Sequence, residues 1–317
     1  MGQQNPTVMI SLGGNAISPK NESGTIDEQF SHTKESLVAV MGFVKRRYNI
    51  CISHGNGPQV GAELQRNELT QDLIPPLPLG VLVANTQGAI GYMIQQSLQN
   101  ALYKEDANRE VVSIISQVKV DKDDPELLDP KKYIGKSYDK ETATELSKKH
   151  NWRVKEQEPG VWRRVVPSPK PLYIFNGKSI KHLVNYGTIV IAGGGGGIPA
   201  YNDKDGILHG IDGVIDKDYS AALLGRIIRA DELFMITDVD NVFLNYKQEN
   251  EKKLDRCNVS EATKYLEEGH FGVGSMEPKI KSAIYFLEHY GKKVVLTSLN
   301  KLEDALKGDS GTIITKD

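Results

Sequence analysis

Two lysines in this chain stand where a helix should begin, and each follows a glycine-rich approach. The first closes the stretch Ile189-Val190-Ile191-Ala192, Gly193 to Gly197, and then Val214-Ile215-Asp216-Lys217-Asp218. A short β-branched run followed by consecutive glycines reads as a buried strand whose end opens into backbone that a ligand can approach without intervening side chains. Asp216 suits an N-cap for a helix through Tyr219, Ala221, Ala222, Leu223 and Leu224, which puts Lys217 in its first turn. A cation there opposes the helix dipole, so an anion held between lysine and helix end makes sense of its position. The second lysine ends Gly272-Val273-Gly274-Ser275-Met276-Glu277-Pro278-Lys279, ahead of the amphipathic set Ile280, Ile284, Phe286 and Leu287. Ser275 suits an N-cap and Pro278 is tolerated in a first turn. Two such cations suggest a phosphoryl group, whose transfer needs mainly positioning and neutralisation of oxygens by backbone N–H groups, lysines and Mg²⁺. Asp218 either holds the ammonium groups or simply favours the helix dipole, and the glycines alone equally suit a flexible linker beside a solvated lysine.

The elements that must position these groups follow from hydrophobic pattern. Thr7 to Leu12 reads as a buried strand ending at Gly13-Gly14-Asn15, and Asn49 to Ser53 as another ending at His54-Gly55-Asn56-Gly57-Pro58. With Ile189 to Ala192, three strand exits share one chemistry. In an open parallel α/β sheet the ligand crevice lies outside the carboxyl ends of the strands, so such exits can converge. Helical patterns run from about 27 to 48, 60 to 69, 79 to 103, 260 to 268 and 276 to 290. Further strands are expected at Val111 to Val120, Glu232 to Ile236, Lys293 to Ser298 and Thr312 to Thr315. Strands alternating with helices imply βαβ units. From about 121 to 171 charges become dense, prolines recur and long apolar runs vanish, in a stretch too long for a simple loop. The reading is a small inserted subdomain able to move as a lid, within a single domain spanning 1–317; a solvated excursion fits the composition equally well.

Composition narrows the partners. The 39 Lys and Arg are interspersed with 41 Asp and Glu for a formal net charge of −2, which implies neither a nucleic-acid footprint nor a polybasic membrane patch and makes small molecules the default. No apolar stretch approaches the length of a membrane span, and Met1 to Pro6 has neither the basic start nor the apolar core of a secretory signal, so a cytoplasmic setting is expected. Cys51 and Cys257 are far apart and match no metal spacing, and the histidines show none either, so no side chain is assigned to a metal.

The common nucleotide fingerprints fail. Gly135-Lys136-Ser137 and Gly177-Lys178-Ser179 resemble the end of a P-loop, but Pro130 and Leu172 stand where the first glycine belongs. Ile198 occupies the place of the last glycine in the dinucleotide pattern, which disfavours a Rossmann dehydrogenase.

Taken together, Ser11-Leu12-Gly13-Gly14-Asn15-Ala16, Ser53 to Gly61, Thr86-Gln87-Gly88, Trp162 to Pro171, Gly194 to Pro199, Val214 to Asp218 and Gly274 to Lys279 resemble the carbamate kinase family, a branch of the amino acid kinases. The blocks occur in order across nearly the whole chain, and the Trp-Arg to Pro-Lys-Pro block is the most specific of them. The resemblance implies a three-layer αβα sandwich with a mostly parallel open sheet, usually a homodimer, catalysing ATP + carbamate ⇌ ADP + carbamoyl phosphate with Mg²⁺. In cells that break down arginine the family normally runs towards ATP.

By the same resemblance, Gly13, Gly14, Asn15, Gly55, Asn56 and Gly57 would hold carbamate and the moving phosphoryl group. Lys217 and Lys279 would neutralise that group with Asp218 orienting them, and Lys132 would reach in from the lid, with neighbouring Lys131 as the alternative. Gly194 and Gly195, Thr237, Asp238, Asp240, Val242, Tyr246 and Met276 would form the nucleotide side. Many amino acid kinases place a lysine two residues before the first Gly-Gly, where this chain has Ser11; Lys217 would supply that charge instead. Carbamate is a tiny planar anion, which suits turns of glycine and asparagine. The competing readings are an acylphosphate-forming kinase of a larger carboxylate and a non-catalytic nucleotide-binding regulator.

Overall fold

A computed structural model describes residues 5–19, 23–272 and 274–317, with Asn15 by its backbone alone. Among the described residues an eight-stranded sheet forms the centre of the chain. Its strands are β1 (Thr7–Leu12), β2 (Asn49–His54), β3 (Val111–Ile114), β4 (Ile189–Ala192), β5 (Glu232–Thr237), β6 (Arg256–Asn258), β7 (Lys293–Ser298) and β8 (Thr312–Thr315), in the order β6-β8-β7-β5-β1-β2-β4-β3. Neighbours are parallel throughout except at the β7–β8 pair.

The strand sequences explain why the sheet is covered on both faces. In β1, Val8, Ile10 and Leu12 enter one core and Met9 the other; in β5, Phe234 and Ile236 oppose Leu233 and Met235 in the same way. Apolar residues at successive positions leave neither face fit for water, as in parallel sheets generally. The helices α1 (Ile26–Lys45) and α3 (Leu79–Lys104) cover the first core, while α4 (Gly177–Tyr186), α5 (Lys217–Ile228) and α6 (Met276–His289) cover the second. Thr25 starts α1 with a capping box: its hydroxyl accepts from the Glu28 N–H at 3.3 Å, and its own N–H donates to the Glu28 carboxylate at 2.7 Å. The three-layer αβα sandwich expected from the sequence is the fold observed.

The single strand expected over 111–120 is two. After β3 the chain leaves the main sheet, because the Ser116 N–H donates to the Gln87 side chain at 2.8 Å and its carbonyl accepts from Ile198 N–H at 2.9 Å. Gln117–Lys119 then joins a second sheet with Ile198–Asn202, Leu208–Gly210 and Tyr173–Ile174.

Within the charged excursion, strands Lys132–Tyr138, Val161–Val166 and Arg153–Glu158 form an antiparallel sheet with the helix Lys140–His150 beside it. Ile134 and Val166 sit in one apolar cluster with Val60 and Leu64 of α2 (Gly57–Thr70) and with Leu79, Leu82 and Val83 of α3. This docking sets the excursion over the C-terminal ends of the central strands.

Candidate functional site

The site grows from the exits of β1, β2 and β4, which lie side by side in the sheet. The Gly13-Gly14 and Gly55-Asn56 turns touch through backbone alone: a Cβ on Gly55 would stand 2.8 Å from the Gly14 nitrogen, closer than any real side chain sits. Only glycine at 55 lets two strings of amides face the same space. Beyond β4, Gly195 takes φ +61°, and a Cβ there would collide with the Asn56 side chain. Asn56 is held from behind by Thr86 of α3, whose buried hydroxyl accepts from Asn56 Nδ2 at 2.9 Å and donates to the Val83 carbonyl at 2.8 Å.

Helix α5 supplies the charges. Asp216 caps it as expected, Oδ1 accepting from the N–H groups of Asp218 at 3.0 Å and Tyr219 at 3.3 Å. In the first turn Asp218 reaches both expected lysines, Oδ1 2.7 Å from Lys217 Nζ and Oδ2 2.5 Å from Lys279 Nζ. The Asp218 side chain is only 6% exposed and the lysines 19% and 14%, so these pairs work in a medium of low polarity. Burial pushes the Asp218 carboxyl up, but the two ammonium groups outweigh it and hold the group well below the usual carboxylate range. Burial in turn draws Lys217 below the usual lysine range, with Asp218 opposing the change and Lys279 adding to it.

At α6 one expectation is corrected. Ser275 precedes the helix but does not cap it: its φ and ψ of −124° and −72° turn its hydroxyl back to the Gly272 carbonyl. That carbonyl also accepts from the N–H groups of Met276 and Glu277, each at 3.2 Å, so a backbone turn takes over the work of a side-chain cap. Lys279 still lies in the first turn.

These elements enclose one cavity of about 970 Å³. Gly13, Gly14, Gly55, Asn56, Gly57, Gly195, Lys217, Asp218 and Lys279 border it at the sheet end, and Lys132, Lys136 and Arg163 border it from the excursion. Thr237, Asp238, Tyr246 and Met276 line it as well, Thr237 at the end of β5. Three expected residues do not border it: Gly194 packs on His54 and Gln87, Val242 is wholly buried in the core, and Asp240 accepts a hydrogen bond from Ser298. The side chain of Asn15 lies outside the described residues.

Of the two adjacent lysines, Lys132 faces the cavity, its Nζ 3.5 Å from Asp216 Oδ2. Lys131 points to the surface and pairs with Glu126 and Asp129. Sequence reasoning assigned no role to Arg163, whose guanidinium donates to the Gly135 carbonyl at 2.6 Å, or to Thr86 as the support of Asn56. Both fall inside the blocks that carried the resemblance, but spacing along the chain does not say which member of a block turns inward. His54, beside the second glycine turn, is buried and pushed down to about 4 by loss of water, so it is neutral and its Nδ1 bonds the Gly55 carbonyl at 3.0 Å.

The model of the amino acid kinase family matches residues 6–298. The chain belongs to the amino acid kinase family. Among members of that family, a carbamate kinase of Pyrococcus horikoshii is 43% identical over 97% of this chain and 98% of its own length. One from Staphylococcus epidermidis is 41% identical over 98% of this chain and 99% of its own. A solved carbamate kinase from Giardia lamblia bound to AMP-PNP superposes with a TM-score of 0.92 at 37% identity, covering 99% of each chain.

Proposed function

We propose that this chain is a carbamate kinase, catalysing reversible phosphoryl transfer between ATP and carbamate. The observation that carries the chemistry is the pair of largely buried lysines gripped by the one carboxylate of Asp218, beside turns that present bare amides to the same cavity. Full-length relatives named carbamate kinase support the choice of acceptor.

In the direction that makes ATP, the bond between phosphorus and the carbamoyl oxygen breaks, and a bond forms between phosphorus and a β-phosphate oxygen of ADP. Carbamate leaves as the anion and no net proton is exchanged. Charge spreads over the three equatorial oxygens in flight, so the residues contribute by position and electrostatics. Lys217 and Lys279 lie at the N-terminal turns of α5 and α6, which add their own partial positive charge. Because Asp218 restrains both ammonium groups before substrate arrives, little reorganisation is needed when the oxygens develop charge. The amides around Gly14 and Gly55 would hold the small acceptor, and the side bordered by Thr237, Asp238, Tyr246 and Met276 would take the nucleotide.

Mg²⁺ would enter on the nucleotide phosphates. Asp216 and Asp218 are already bonded to ammonium or backbone N–H groups, and among the described residues no group of three or more His, Cys, Asp or Glu could hold a metal. A magnesium ion carried by phosphates and water fits that donor set. Lys132 and the sheet that bears it act in this reading as a lid, a cytoplasmic homodimer is the expected assembly, and arginine breakdown is the expected setting.

The test is formation of ATP from ADP and carbamoyl phosphate by the purified chain. Turnover with carbamoyl phosphate, and none with acetyl phosphate or the acylphosphates of larger carboxylates, supports the proposal; silence with carbamoyl phosphate refutes it.

A further inference from the structure

We propose that Ser11 is the positioning residue of the Lys217–Asp218 pair, its single hydroxyl accepting from one and donating to the other. Ser11 stands at the end of β1, wholly buried, where its Oγ lies 3.2 Å from Lys217 Nζ and 3.1 Å from Asp218 Oδ1. An ammonium can only donate and a carboxylate only accept, so a group that meets both must accept and donate at once, as the Ser11 hydroxyl does. The contact ties the first turn of α5 to a central strand some two hundred residues earlier in the chain. Without it, Lys217 keeps Asp218 as its anchor but loses the second point, the one that fixes its Nζ against the sheet.

A buried serine next door makes the assignment specific. Ser53 is paired in register with Ser11 on the neighbouring parallel strand and is equally buried, yet among the described residues its hydroxyl has no hydrogen-bond partner. Two hydroxyls thus lie at one level of the sheet, and among the described residues that of Ser11 joins the charged unit while that of Ser53 does not.

The inference rests on the carbamate kinase reading for its kinetic consequence, but not for its direct one. The charged and titratable groups that act on Lys217 are Asp216 and Asp218 at the start of its own helix, Lys279 from α6 and His54 from β2, while Lys132 of the excursion reaches Asp216. Removing the Ser11 oxygen takes an acceptor from the ammonium, so Lys217 should release its proton at lower pH.

The experiment compares Ser11→Ala and Ser53→Ala with the wild-type chain in ATP formation, and separately follows acetylation of Lys217 by acetic anhydride against pH, with the modified peptide located by mass spectrometry. For Ser11→Ala we expect kcat to fall by roughly 10-fold or more, the scale of one hydrogen bond to a charged group. KM for both substrates should stay within about twofold, with the alkaline limb of kcat and the Lys217 acetylation midpoint both moving to lower pH. Ser53→Ala should match wild type in each. If Ser11→Ala is not recovered folded, Ser11→Cys fills the same space with a poor hydrogen-bonding group and gives the same reading. An acetylation midpoint in the Ser11 variant equal to that of wild type overturns the inference. A wild-type chain that makes no ATP from these substrates overturns the carbamate kinase reading alone, and the acetylation profile still decides Ser11.

Discussion

Lys279, 61 residues beyond Asp218 in the chain, places its Nζ 2.5 Å from the Oδ2 of that carboxylate. The contact joins the first turns of α5 and α6, and with Lys217 on the other oxygen it makes a three-member charged unit at the mouth of the sheet. Breaking a buried pair by removing one partner leaves an uncompensated charge. Asp218→Ala is therefore expected to lower unfolding free energy by about 3–5 kcal/mol, read by urea titration, as well as to abolish most turnover. Asp218→Asn, which keeps the shape, should lose activity while staying better folded than the alanine variant.

The contact between the first two glycine turns predicts a backbone effect. With Ala at 55, the new Cβ would press on the Gly14 nitrogen from 2.8 Å, and the turns must separate. Gly55→Ala should raise KM for carbamoyl phosphate and lower kcat together, by at least about 10-fold in kcat/KM, since small misplacements at a reacting centre are costly. Wild-type kinetics in this variant would mean that the two turns do not share a ligand.

Much of this arrangement was legible in the sequence. The strand exits at Gly13, Gly55 and Gly193 announced themselves because β-branched runs stop at glycines, and parallel-sheet geometry brings such exits together. Lys217 and Lys279 stood out because cations are unusual in a first helical turn. What stayed hidden depended on distance across the fold. Nothing in the spacing of Ser11 shows that its hydroxyl meets a helix some two hundred residues away, and Thr86 reads as one polar residue beside Asn85 and Gln87 in its helix until Asn56 is found against it. The expected cap at Ser275 failed because a backbone carbonyl, which has no sequence signature, took its place. The excursion was legible as a change of composition, but its three-stranded sheet was not, since its strands are mostly half-exposed or exposed and lack the apolar runs that mark the central ones.

The orientation of the excursion predicts which of two neighbours matters. Lys132 borders the cavity beside Asp216, whereas Lys131 is engaged at the surface. Lys132→Ala should depress kcat far more than Lys131→Ala, which should stay within about twofold of wild type, as exposed ion pairs contribute little. The reverse order in steady-state ATP formation would show that the excursion uses the other lysine.

His54 predicts an acid-sensitive stability. Its folded value of about 4 lies below the ordinary 6.5, so the unfolded chain binds a proton that the folded chain refuses. Stability linked to this group is fully present above about pH 6.5 and is lost as pH falls towards 4, a loss on the order of 3 kcal/mol across that window. His54→Asn should flatten this part of the stability profile measured by chemical denaturation; a wild-type profile already level between those limits would show that His54 takes up its proton in the folded state.

The central claim is that the ammonium of Lys217 neutralises the phosphoryl group in flight, and the most direct measurement is kcat for ATP formation by Lys217→Ala at saturating ADP and carbamoyl phosphate. With the fold verified by its thermal transition, kcat is predicted to drop by at least ~10²-fold, the scale on which one preorganised transition-state donor acts. Turnover within a few-fold of wild type would contradict the account and remove Lys217 from the chemistry.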